Sequence, residues 1–153
     1  NNEIGKLAVR GITGCKYLNR LEKQAEYVQN KWNLTGDIFK KDDDGYFWFI
    51  ARGDDMIISS GYNIAAIEVE SVLLTHDEIL ECAVVGIPDE NRGMLVCANI
   101  VLKNPASAND ELAKSIQDWF KQVAAPYKYP RVIKFHDVLP KTETGKIQRF
   151  KLK

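Results

Sequence analysis

Lys146 stands in the segment Leu139-Pro140-Lys141-Thr142-Glu143-Thr144-Gly145-Lys146-Ile147-Gln148-Arg149, where one ammonium follows a glycine in a run of small and polar residues. Pro140 halts the preceding element, Gly145 lets backbone approach a ligand closely, and Thr142 and Thr144 offer hydroxyl donors. A compact cation at such a tip can neutralise charge developing on a phosphoryl or carboxyl oxygen. A plain surface turn with a solvated lysine has the same local composition, so Gly-Lys alone does not separate the two. A P-loop is excluded. That pattern requires glycine five places before the Gly of Gly-Lys and Ser or Thr after the lysine, and the chain has Pro140 and Ile147 there.

Other polar clusters carry less chemistry. Asp42-Asp43-Asp44-Gly45 resembles part of a calcium loop, but with Gly45 as sixth residue the first and twelfth are Lys40 and Ala51, which supply no carboxylate. It reads as a solvated hairpin turn with Asp44-Gly45 as its tip. His76 and His136 are too far apart for a zinc site and read as half-exposed surface residues; no metal ligand is assigned. Cys15, Cys82 and Cys97 are odd in number and lack metal-ligand spacing, so they read as reduced core thiols in a cytoplasmic protein.

Net charge is zero but uneven. Residues 121–153 hold nine Lys or Arg against Asp137 and Glu143, which suits a polyanionic small molecule such as a nucleotide or coenzyme, or nucleic acid. Cations spaced between apolar residues favour the small molecule. Tyr127 and Tyr129 beside Lys128 and Arg131 leave stacking on single-stranded bases as a second reading.

The elements that must position these residues follow from periodicity. With 45% apolar residues in 153 the chain can build a core, and it has no apolar run long enough to span a membrane. The start at Asn1 has no signal-peptide character and no initiator Met, which points to a cut or processed chain. Lys6–Arg10 predicts a short strand, and Arg20–Asn30 an amphipathic helix with Leu21, Ala25 and Val28 on its buried stripe. Trp32–Leu34 and Asp37–Lys41 are extended pieces, and Tyr46–Ile50 a strand paired through the Asp44-Gly45 turn. Ala51-Arg52-Gly53-Asp54-Asp55 reads as a break between domains.

Beyond it the order is α+β. The pattern predicts a strand at Met56–Ile58, a helix over Ala66–Thr75 with Ala66, Val69, Val72 and Leu73 on one face, and strands at Leu80–Ile87 (central) and Leu95–Leu102. A longer helix is capped by Asn109, with Leu112, Ile116, Trp119, Phe120 and Val123 inward, and the last strand is Arg131–Phe135. The fold class is therefore α+β. Residues 54–153 form a small domain whose helices pack a sheet of about three main strands, and residues 1–53 are the end of a larger domain that is absent.

Several stretches together resemble the adenylate-forming superfamily of acyl-CoA synthetases, peptide-synthetase adenylation domains and luciferases. They are Thr35-Gly36-Asp37, Arg52-Gly53-Asp54-Asp55-Met56-Ile57, Gly61-Tyr62-Asn63-Ile64 followed by Glu68-Val69-Glu70, and Pro140 through Lys146. Ala124–Arg131 and Trp32–Asp37 look most like the medium-chain and aminobenzoate or benzoate CoA-ligase branch. The order and spacing match over most of the chain. Ala51 and Ala66 depart from the family's usual Gly and Pro, and neither change removes a functional group.

The resemblance implies a C-terminal lid with the last part of a large N-terminal adenylation domain attached, inactive alone. The enzyme would convert a carboxylic acid and ATP to acyl-adenylate and pyrophosphate, with Mg²⁺ bound with the N-terminal domain, and then form a thioester with CoA. It implies that Lys146 is the catalytic cation, that Asp37 and Arg52 reach the ribose of ATP or AMP, and that Asp54 is the hinge. Ser60, Gly61, Tyr62, Arg92, Tyr129, Pro130 and Arg131 would contact CoA. The alternatives are an adenylation domain that loads a carrier protein, and a non-catalytic nucleotide- or nucleic-acid-binding module.

Overall fold

In the computed structural model, which describes residues 3–153, the chain divides into two units, one ending at Asp54 and the other being Asp55–Lys153. The axis of the first is β3 (Trp32–Lys41). Strand β1 (Glu3–Val9) pairs antiparallel along one edge, and β2 (Val28–Gln29) and β4 (Phe47–Arg52) share the other. The two extended pieces expected over residues 32–41 are thus one strand. They looked separate because Thr35-Gly36-Asp37 bulges: Lys6 pairs with Ile38 and Ala8 with Leu34, so three residues face Leu7. Gly36, at φ 81°, permits the bulge, and Thr35 Oγ1 donates to the Leu7 carbonyl at 3.2 Å.

The helix expected over Arg20–Asn30 is shorter. As α1 it covers Leu21–Tyr27, because Asn30 and Lys31 both take positive φ (51° and 67°) and fold Val28–Gln29 back onto β3 as a hairpin. Its stripe is not a core face: Leu21 is exposed and no residue of α1 is buried. The Asp42–Tyr46 loop behaves as a solvated turn, longer than two residues. The Asp42 carbonyl accepts from the Gly45 amide, and its carboxylate from the Tyr46 amide and the Trp48 indole. The indole hydrogen bond holds that carboxyl below its ordinary range. Strand β4 runs on through Arg52, so Ala51, which is buried, and Arg52 belong to a strand and not to the expected break. The break is the 3-10 turn Gly53–Asp55.

The second unit contains β5 (Met56–Ser59), β6 (Tyr62–Ala65), α2 (Ala66–Leu73), β7 (Ile79–Asp89), β8 (Gly93–Leu102), α3 (Asp110–Val123) and β9 (Val132–Phe135). The class is α+β, with a five-stranded sheet where about three strands were expected. The order is β6-β5-β8-β7, with β9 running parallel beside β8 and every other pair antiparallel. The unexpected strand is β6. Ser60 and Gly61 take φ of 49° and 81°, the tight reversal that returns Tyr62–Ala65 along β5.

Strand β8, not β7, is central. The apolar run in β7 reports two covered faces instead of a central place. On one face α2 and α3 close a core of Ile57, Ile64, Val84, Val96, Ile100 and Phe120. On the other, Ala83, Val85, Cys97 and Val101 lie beneath Leu139 and Leu152 of the C-terminal segment. Strand β8 feeds both, even positions facing the helices and Cys97 and Val101 facing the C-terminal segment. Leu139 is 1% exposed, and burying a leucine contributes about 1.5–3 kcal/mol, so the segment leading to Lys146 is firmly seated.

Asn109 caps α3 as expected, its side-chain oxygen accepting from the Leu112 amide at 2.7 Å. Ile116 and Phe120 are buried, but Val123, expected inward, is exposed. Cys82 and Cys97 are core thiols; Cys15 is exposed, which corrects the expectation for that residue. His76 and His136 are half-buried, His136 Nε2 lying 2.8 Å from Asn99 Oδ1. No helix among the described residues is long and apolar enough to cross a membrane.

Candidate functional site

Lys146 is exposed at the tip of a narrow loop hung from the second core. Lys141 and Ile147 bridge its base. The Thr142 amide donates to the Lys146 carbonyl at 2.8 Å, and the Lys146 amide donates to Thr142 Oγ1 at 3.1 Å. Thr142 Oγ1 also lies 3.0 Å from Thr144 Oγ1, and Gly145 turns the chain at φ 82°. The threonine hydroxyls therefore stiffen the loop, where the sequence suggested ligand donors. Lys141 Nζ lies 2.7 Å from Glu81, pinning the base to β7. Lys146 itself makes no ion pair among the described residues, so its ammonium is presented to solvent on a rigid mount.

In the first unit, strand pairing sets Asp37 directly across from Arg52. Their side chains are 3.3 Å apart, and Arg52 Nε is also 3.3 Å from Asp54 Oδ1. The bulge aims Asp37, whose amide donates to Thr35 Oγ1 at 3.1 Å. Gly36 leaves room for the guanidinium, since a Cβ there would stand 3.4 Å from Arg52 Nη2. A carboxylate offers about four lone-pair sites, so Asp37 can accept hydroxyl protons beside its arginine. An open cleft runs past the pair, lined by Lys6, Tyr17, Tyr27, Thr35 and Arg52 among others. Sequence reasoning missed Lys6, Tyr17 and Tyr27, because only the folding of β1 and α1 about β3 assembles them.

The third group lies in the second unit. Arg92, on the turn between β7 and β8, donates from Nη1 to Ser60 Oγ at 2.9 Å, and its carbonyl accepts from the Ser60 amide at 2.9 Å. Asp89 holds the turn by accepting from the Arg92 amide at 2.8 Å. Ser60, Gly61, Tyr62 and Arg92 are thereby brought together. Tyr62 stacks on Tyr127 with centroids 4.5 Å apart and planes at 20°, which joins this turn to the Pro126–Lys128 segment. Tyr127 was not among the expected contacts.

Tyr129 is flanked by two cations, with Lys121 Nζ 4.5 Å and Arg131 Cζ 4.7 Å from its ring centroid, and it accepts from Arg131 Nη1 at 2.7 Å. The Pro130 side chain is fully buried, and its carbonyl accepts from Gln117 Nε2 at 3.0 Å. Tyr129 packs on the helix-side core and Ile147 on the other. The aromatic-cationic group and the Lys146 loop therefore occupy opposite faces of one sheet.

The basic C-terminal third offers a polyanion less than its charge suggests. Four of its nine cations, Lys121, Lys128, Lys141 and Arg149, pair with Asp118, Glu68, Glu81 and Glu70. The Glu68 hydrogen bond raises the pKa of Lys128. Glu68 and Glu70, two residues apart and so on different sides of α2, hold Lys128 and Arg149 respectively. Among the described residues no cluster of three or more His, Cys, Asp or Glu could hold a metal ion.

These features place the chain in a known class. The AMP-binding enzyme C-terminal domain family matches residues 68–146, just over half of the sequence, and the chain belongs to that family. It is similar to the uncharacterized acyl-CoA ligase YtcI of Bacillus subtilis (strain 168), 47% identical over 154 residues that cover 99% of this chain and 29% of that protein. It is also similar to the mitochondrial acyl-coenzyme A synthetase ACSM5 of Homo sapiens, 50% identical over 139 residues that cover 90% of this chain and 24% of that one.

Among solved structures it resembles the o-succinylbenzoate CoA synthetase MenE of Bacillus subtilis in complex with the acyl-adenylate intermediate OSB-AMP. The TM-score is 0.83 at 36% identity, covering 99% of this chain and 30% of that one. An ATP-bound RpMatB-BxBclM chimera gives a TM-score of 0.86 at 31% identity, covering 98% and 30%. The chain spans under a third of the length of these relatives.

Proposed function

We propose that this chain is the C-terminal part of an AMP-forming acyl-CoA synthetase, residues 54–153 being its mobile lid and residues 1–53 the end of its large adenylation domain. The observation that carries the reading is the placement of the Lys146 loop and the Tyr129–Arg131 group on opposite faces of one sheet. A two-step ligase needs two different surfaces at one reaction centre in turn, and a two-faced lid supplies both by rotating. The relatives' names, acyl-CoA ligase and acyl-coenzyme A synthetase, support the overall reaction. The ATP and acyl-adenylate in the neighbours' structures support its first half.

In the first half-reaction the substrate carboxylate attacks the α-phosphorus of ATP, forming acyl-adenylate and releasing pyrophosphate. Lys146 would place its ammonium beside the carboxylate and α-phosphoryl oxygens, where positioning and charge neutralisation supply the catalysis. Asp37 would accept the ribose hydroxyls, and Arg52, held by Asp37 and Asp54, would fix that carboxylate's aim. Rotation about Asp54 then withdraws Lys146. In the second half the CoA thiolate attacks the acyl carbonyl, and AMP leaves with the bonding pair. Ser60, Gly61 and Tyr62 would border the thiol's approach, and Arg92 and Arg131 would meet the CoA phosphates. Mg²⁺, when bound with the large domain, would neutralise phosphate charge; no residue of this chain is given that task.

The test uses the full-length enzyme. Lys146→Ala should lower adenylate formation by about 10²–10³, the usual effect of removing one such charge donor. Thioester formation from supplied acyl-adenylate should continue near its normal rate. Pyrophosphate exchange and single-turnover thioester assays read the two halves separately, and an equal loss in both would reject the assignment. A cytoplasmic or organelle-matrix setting agrees with the buried, unpaired thiols Cys82 and Cys97.

A further inference from the structure

Arg149 follows Lys146 by three residues and faces carboxylates in two separate parts of the second unit. Its Nη2 lies 2.8 Å from both carboxylate oxygens of Glu70 on α2. Its Nη1 is 4.0 Å from Asp55 Oδ2, the residue immediately after the candidate hinge. Glu70 is 8% exposed, and its Oε1 also accepts the Val84 amide of β7 at 2.8 Å. A mostly buried carboxylate shared between a guanidinium and a strand amide is a fixed point, because removing either partner leaves an uncompensated charge. At this end of the Lys146 loop Arg149 works beside Ile147 and Leu152, which pack on the second core, and the Gln148 amide, which donates to the Pro140 carbonyl at 2.8 Å.

We propose that Arg149 is a positioning residue, a clasp that binds the base of the Lys146 loop to α2 and to the exit of the hinge. Its chemical consequence is transmission. Rotation at Asp54 moves Asp55 first, and the clasp, acting with the Lys141–Glu81 pair at the other end of the loop, makes the loop move with it as one body. The segment 140–149 has its own turn hydrogen bonds, but those fix its internal shape and not its attachment to α2. Lysine cannot replace Arg149, since one ammonium does not reach Glu70 and Asp55 from the same stem with a planar fork. This inference rests on the two-pose reading of Lys146, and the experiment separates the two.

In the full-length enzyme, Arg149→Lys and Glu70→Gln are compared with Ile116→Val, which trims the helix-side core without touching the clasp. Hydrogen exchange reads the clasp without any activity. Both clasp variants should speed exchange at residues 142–148 and at Val84, while α3 keeps its protection. Both should slow adenylate formation by about 10- to 100-fold, the range expected from displacing a catalytic group by about 1 Å. Thioester formation from supplied acyl-adenylate should be retained, and Ile116→Val should show neither effect. Unchanged exchange over 142–148 overturns the clasp. Faster exchange with both half-reactions normal, or both slowed alike, overturns the positioning role. If Lys146→Ala still splits the half-reactions in that case, the reading of Lys146 survives without it.

Discussion

At the scale of the residue, environment decides which groups can react. Burial first, and then the carboxylates of Glu70 and Glu81, push the Cys82 thiol from its ordinary 9.0 up to about 12, and burial raises Cys97 as well. An unfolded chain ionises these thiols from about pH 9, while the native protein keeps its protons. Above that point the unfolded state binds fewer protons, so stability falls as pH rises toward 12. Denaturant titrations between pH 8 and 12 should show this decline, and Cys82→Ala should flatten it; an unchanged slope would mean that Cys82 titrates normally. The Lys146 loop is legible because its turn depends on neighbours within a few positions. The pairing of Tyr127 with Tyr62 is not, since the two are 65 residues apart and only the Ser60-Gly61 reversal brings the rings together. The cover that α3 gives Pro130 has no local signal either.

At the scale of the element, the errors and successes share a cause. Helix α3 was legible from its cap, its spacing and its proline stop, all local signals. Helix α1 was overextended because the left-handed pair Asn30-Lys31 ends it, and lysine seldom takes positive φ. Strand β6 is hard to read from sequence: Ser60-Gly61 is a turn dipeptide, but Tyr62–Ala65 lacks alternation, its first two residues being exposed and its last two buried. The 3-10 turn Gly53–Asp55 lies at the division between the units. Proline at position 54 would fix φ and hold the lid in one pose. Asp54→Pro should therefore preserve one half-reaction and slow the other by at least tenfold, as read by the same paired assays. Normal rates in both halves would remove Asp54 from the hinge.

At the scale of the whole molecule, the proposed two-step function uses the two cores of one small unit. The helix-side face carries the aromatic-cationic group and the opposite face carries the lysine loop, so damage to one face should leave the other's work intact. Arg92→Ala deletes the hydrogen bond to Ser60 and should slow thioester formation several-fold while adenylate formation stays within about twofold; the reverse pattern would mean that the faces have been assigned backwards. The large exposed side chains of the first unit, Phe47, Trp48 and Phe49 among them, agree with its reading as part of a bigger domain. Two-sidedness also limits how this family can vary. Because neighbouring positions of β8 feed opposite cores, a single inserted residue there would exchange the parity of every side chain beyond it and carry Cys97's successors into the wrong layer. Length changes are tolerable in the Asn104–Asn109 connection, but the central strand can grow only in steps of two.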